Sequence, residues 1–102
     1  MIERLFAEID AARDALVALR RDLHAHPELG FQEVRTSGIV AERLRAAGLA
    51  VRTGLATTGV AGVLRGARPG PSVLVRADID ALPIEEANTV PYRSQRAGVM
   101  HA

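Results

Sequence analysis

Residues 72–86 read SVLVRADIDALPIEE, and the fold turns on how this stretch is placed. Val73, Leu74 and Val75 form an unbroken apolar run of the kind carried by a strand buried on both faces. Side chains two apart on an extended chain point the same way, so Arg76, Asp78 and Asp80 share one side if the extension persists. The strand then ends in two carboxylates, at the edge where open α/β sheets bind their ligands. Neighbouring carboxylates repel unless a cation or a shared proton relieves them, which favours a metal site or acid–base chemistry. A structural arrangement fits the same residues, with Asp78 paired to Arg76 and Asp80 capping the turn that ends at Pro83. The spacing alone leaves both readings open.

Upstream, the apolar residues follow a helical period. Leu5, Ile9, Ala12, Leu16, Leu19 and Leu23 line one stripe, which predicts an amphipathic helix from Ile2 to His24. Pro27 restricts the residue before it and closes that helix, leaving HPELGF as a loop. A second helical period runs from Glu33 to Ala47 through Val34, Ile39, Val40 and Leu44, with Gly48 as its stop. Runs rich in β-branched residues and leucine then predict strands near Ala50–Thr53, Val60–Arg65 and Ser72–Ala77, the last two joined by RGARPGPS as a hairpin-type loop. From Asn88 onward the chain is expected to be irregular or poorly packed. The fold class is α/β, with two N-terminal helices packed on part of a central mixed sheet.

The 102 residues, 48% of them hydrophobic, can make at most one small domain with one core. All 13 basic residues are arginine, they are scattered, and the formal net charge is +1, so neither nucleic acid nor an anionic membrane is indicated as a partner. The absence of cysteine excludes a disulfide framework or a thiolate metal site within these residues. The N-terminal stretch carries acidic residues and no basic region followed by an apolar one, so it does not read as a signal peptide. A cytoplasmic protein is the default expectation.

His24 and His26 stand two apart at a helix end, where they do not share a face. The expected role there is a favourable interaction with the helix dipole, not metal binding. Glu85 and Glu86 are expected to be solvated. The glycines of TGVAGVLRGARPG do not form a phosphate-cradling loop, because no GKS or GKT follows.

Three stretches in this order, LRRDLHAHPELGFQE (19–33), TGVAGVLRG (58–66) and VLVRADIDALPIEE (73–86), resemble the N-terminal portion of the metal-dependent amidohydrolases grouped with aminoacylases. That family includes hippurate hydrolases, N-acyl-amino-acid hydrolases and indole-acetyl-amino-acid hydrolases. The resemblance implies an incomplete portion of a di-metal peptidase-like catalytic domain, and a reaction that hydrolyses the amide between an acyl group and an amino acid. It implies a pair of divalent ions, zinc, manganese, cobalt or nickel, in a complete enzyme that forms a homodimer and acts on a small N-acyl amino acid. In the broader family a strand ends in HxDxxP, whose histidine binds metal and whose aspartate orients that histidine. Here DIDALP sets Asp80 on the aspartate, implying a site-organising role, and Asp78 on the histidine, making it a candidate metal ligand. The amidohydrolase branch draws its main ligands from elsewhere, including a CGHD segment after MHA. Residues 1–102 are therefore expected to be the N-terminal part of the catalytic domain, truncated before the metal-ligand motif, inactive alone and binding no metal tightly. His101 is expected to be a disordered terminal residue. Two other readings are a phosphatase of the haloacid dehalogenase type, using the Asp78/Asp80 pair as nucleophile and acid/base, and a non-catalytic scaffold domain.

Overall fold

The computed structural model describes all 102 residues. Three helices, α1 (Ile2–Ala11), α2 (Arg13–Ala25) and α3 (Val34–Ala46), precede two strands, β1 (Ala50–Leu55) and β2 (Gly59–Val63). The single helix expected from Ile2 to His24 is divided at Ala12, although hydrogen bonds run through the junction from Ala12 N–H to Glu8 O (3.2 Å) and from Leu16 N–H to Ala12 O (3.0 Å). Its apolar stripe finds cover only at the C-terminal end. Leu5, Ile9 and Leu16 remain 55%, 49% and 54% exposed, whereas His24 and Ala25 are buried. A helical period shows which face would pack; the packing itself needs a surface, and none of the buried residues of the chain lies on α1.

The start of α3 is held from outside the helix. The Glu28 carboxylate accepts the Arg35 N–H (2.9 Å), the Thr36 N–H (2.6 Å) and the Thr36 hydroxyl (2.7 Å), satisfying donors that a first helical turn leaves unpaired. Arg35 also pairs with Asp22, tying α3 to α2 at 2.9 Å. The helix stops where expected. Gly48 adopts φ +85, donating to Arg45 O (2.9 Å) while Leu49 N–H returns to Leu44 O (3.1 Å), which is a Schellman turn.

That turn delivers the chain into β1, which pairs antiparallel with β2 in the register Ala50↔Val63, Val51↔Gly62 and Arg52↔Ala61. Helix α3 packs across both strands. A Cβ at Gly62 would lie 2.9 Å from Leu49 Cδ2 and 3.1 Å from Leu44 Cδ1, so glycine is what lets the helix and hairpin close together.

The α/β class holds, but the sheet consists of this pair alone. The strand expected over Ser72–Ala77 is not formed: Val73, Leu74 and Val75 are 89%, 90% and 89% exposed and have no ladder partner. An apolar extended run becomes a strand only by exchanging hydrogen bonds with a neighbour, and no segment of the chain pairs with it. The loop 65–72 is accordingly not a hairpin. Beyond Asn88 the backbone is irregular, as expected, and most of its residues are exposed; Val99 is the buried one, and Glu86, just before the segment, is buried too. No helix is long and apolar enough to cross a membrane.

Candidate functional site

Two short bridges bring the sequence motifs together. Ala81 N–H donates to Glu28 O (2.8 Å), setting DIDALP beside HPEL, and Leu82 exchanges hydrogen bonds of 2.9 and 3.0 Å with Met100, setting it beside VMH. Asp78 and Ile79 thereby form a wall between two cavities. One, of about 320 Å³, is lined by Arg20, Leu23, His24, Thr36, Val40 and His101 among others. The other, of about 550 Å³, opens against Phe31, Glu33, Thr58, Arg76 and Asp80.

The two aspartates differ in their surroundings. Asp78 is exposed and its Oδ1 accepts from Arg76 Nη2 at 2.6 Å. Asp80 is exposed at the larger cavity and enters none of the ion pairs of the chain. On the same cavity, the Thr58 hydroxyl donates to Glu33 Oε2 (2.6 Å), joining the loop before α3 to the hairpin turn, and both residues are buried.

The most densely bonded group is one that the sequence reading placed in solvent. Glu86 is only 3% exposed. Its carboxylate accepts the Ser94 N–H (2.6 Å), Asn88 Nδ2 (3.1 Å) and His24 Nε2, which lies 3.0 Å from both oxygens. The Ser94 amide first, and then the His24 imidazole, hold its carboxyl down to about 2. Its neighbour Glu85 is exposed, as expected, and its carboxylate accepts the Gly98 N–H. His24 is thus a partner of a carboxylate 62 residues away and not simply a dipole-stabilised helix end. Tyr92 packs its ring edge-on to His24 with centroids 5.9 Å apart, and the Arg21 guanidinium covers Tyr92 at 4.6 Å. Nothing local in the sequence signals this cluster, because its parts come from α2 and from an irregular segment with no periodicity.

His101 also departs from expectation. It is half-buried, and its Nε2 is enclosed without any hydrogen-bond partner. Burial first, and the neighbouring His24 second, push its imidazole below the usual histidine range, against the opposing pull of Asp80 and Glu28. For Glu28, burial raises the carboxyl, but the Thr36 hydroxyl and the amides of Thr36 and Arg35 outweigh it and leave the carboxyl lowered.

These donors do not fit a two-metal centre. His24 Nε2 is engaged by Glu86, His26 Nδ1–H donates to Asp22 O (2.8 Å), Asp78 is engaged by Arg76, and no three histidine or carboxylate side chains converge on one point. A pair of ions needs several donors held at fixed geometry, and the 102 residues leave only Asp80 and His101 uncommitted near the site.

No family model matches the chain. Individual relatives do. It is 43% identical, over its whole length, to thermostable carboxypeptidase 2 of Saccharolobus solfataricus, covering 26% of that protein. It is 46% identical over 92% of its length to the N-acyl-L-amino acid amidohydrolase of Geobacillus stearothermophilus, covering 25% of it. Among solved structures, a dinuclear metal-binding peptidase of the M20 family from Bacillus subtilis superposes on 90% of the chain with a TM-score of 0.83 at 41% identity, and the match spans 26% of that protein. The chain thus spans about a quarter of the length of the curated relatives it matches. Over that span the chain is similar, in sequence and in backbone, to amidohydrolases and metal-dependent peptidases of the M20 family.

Proposed function

We propose that residues 1–102 are the N-terminal part of the catalytic domain of a hydrolase that cleaves the amide bond of small N-acyl amino acids, hippurate-like substrates included. The observation that supports this reading most is the meeting of HPEL, DIDALP and VMH at one place, with the Asp80 carboxylate and the His101 Nε2 both uncommitted there. Asp80 organises the site by orienting a metal ligand. Asp78 serves as a ligand only if it gives up Arg76. Divalent ions, zinc, manganese, cobalt or nickel, take their main ligands from sequence outside this span, which accords with the incomplete donor set within it. The chain by itself is inactive, and the whole protein is a cytoplasmic homodimer without nucleic-acid or membrane partners. Val73–Val75 becomes an internal strand when the remainder of an M20-length polypeptide lies beside it.

In a polypeptide of the relatives' full length, Asp80→Asn should keep the fold and lower metal affinity or activity on the order of 10- to 100-fold, while Glu85→Gln leaves both unchanged. Turnover against metal concentration decides: parent-like behaviour of Asp80→Asn at every concentration removes the aspartate from the site. For the 102-residue chain alone, hippurate turnover that a chelator abolishes and zinc or manganese restores would contradict the assignment of the ligands to sequence outside it.

A further inference from the structure

The Glu86 cluster leads physically to His101. Its carboxylate fixes the Ser94 amide at 2.6 Å. The Ser94 hydroxyl in turn donates to Val99 O at 2.6 Å and accepts the Arg96 N–H at 3.1 Å, closing the loop 94–99 on itself. Val99 is buried, and Met100 is clamped to Leu82 from both sides of its peptide. The next residue is His101, enclosed at Nε2 in the cavity that His24, the imidazole partner of Glu86, also lines. Backbone bonds to the rest of the chain fix this segment at only two points, the Leu82–Met100 bridge and Gln95 N–H to Ala25 O (2.9 Å), so the placement of the loop between them falls to its side-chain anchors.

We infer that Glu86 is a positioning residue: anchored on His24, it holds the loop 94–100 through Ser94 and so sets His101 in the cavity between α2, α3 and Ile79. That His101 belongs to a hydrolytic site rests on the function proposed above. That Glu86 sets its position does not, and the two are read separately.

The chain contains three histidines, so acylation by diethyl pyrocarbonate at neutral pH can be followed at each one by peptide mass spectrometry. In the parent chain His26, half-exposed, should react faster than His24 and His101. Glu86→Ala should raise the reaction rate of His101 on the order of 10-fold or more by local opening, with His26 and the amide-exchange protection of α3 unchanged. Ser94→Ala removes the hydroxyl relay while leaving the carboxylate on His24, and should release His101 but not His24. Retained protection of His101 in either variant, with α3 still protected, overturns the inference. So does equal loss of protection across His101 and α3 in Ser94→Ala, which would make the segment ordinary core. If Glu86→Ala unfolds the chain, Ser94→Ala alone decides by the same two outcomes. Activity plays no part in this readout, so a failed hydrolase assignment leaves the positioning result standing.

Discussion

Residues 72–76 and 86–101 reverse what their compositions suggest. The first carries the unbroken apolar run Val73–Val75 and stands bare, close to fully exposed. The second has no regular secondary structure, carries polar residues throughout and is fastened at Glu86, Ser94, Val99 and Met100. The difference lies in what each segment requires. A central strand is completed by neighbours on both edges and both faces, and a chain spanning a quarter of its relatives' length does not provide them. A polar loop can be completed by a few buried hydrogen bonds, and those are present here. Hydrophobicity measures the demand for partners; order follows from their supply.

Acidification should produce the largest change, and it should leave the bare segment untouched. The Glu86 carboxyl sits near 2 when folded against an ordinary 4.5, so the unfolded chain binds more protons in that interval. Its contribution is therefore complete above 4.5 and lost as pH falls toward 2. Glu28, also lowered, acts with the same sign. His101, held below 6.5, acts earlier but in the same direction: the unfolded imidazole protonates first, so its contribution begins to fall below 6.5. Denaturant midpoints should decline steadily from neutral pH to acid. Amides of residues 94–100 should lose protection over the same range, whereas those of 73–75 exchange freely throughout. A midpoint that rises on acidification would break the comparison.

A smaller effect is expected where the hairpin meets the site. Thr58→Ala removes the only hydroxyl on the buried Glu33 carboxylate and should cost about 1–3 kcal/mol in unfolding free energy. Chemical denaturation checks this, and a neutral result would mean that water serves Glu33 equally well. The smallest effect belongs to the bare segment. Leu74→Lys, a severe change in an internal strand, should alter the stability of this chain by no more than about 0.5 kcal/mol, since Leu74 is 90% exposed. A loss of several times that amount would show that the run is already packed.

The helical elements are legible in the sequence because their signals are local. The period through Val34, Ile39, Val40 and Leu44 and the stop at Gly48 place α3 to within a residue at each end, and the two hairpin strands fall close to where their β-branched residues lie. The third strand is absent for a physical reason: Val73–Val75 has the composition of a strand, but composition does not reveal whether a neighbouring edge exists within the same chain. In the site, the Arg76–Asp78 pair is legible at a separation of two residues. The His24–Glu86 pair is not, because a separation of 62 residues is bridged only by the fold. His101 reads as a loose end for the same reason, since the Leu82–Met100 clamp that holds it is a backbone contact with no side-chain signature.

Amide hydrogen exchange at Val73, Leu74 and Val75, measured in this chain and again in a polypeptide extended to the length of its M20 relatives, is the most direct test that order here follows the supply of partners. The expected result is free exchange in the 102-residue chain and strong protection in the longer one, where the run becomes an internal strand beside the assembled site. Protection already present in the short chain, or absent from the long one, would contradict it.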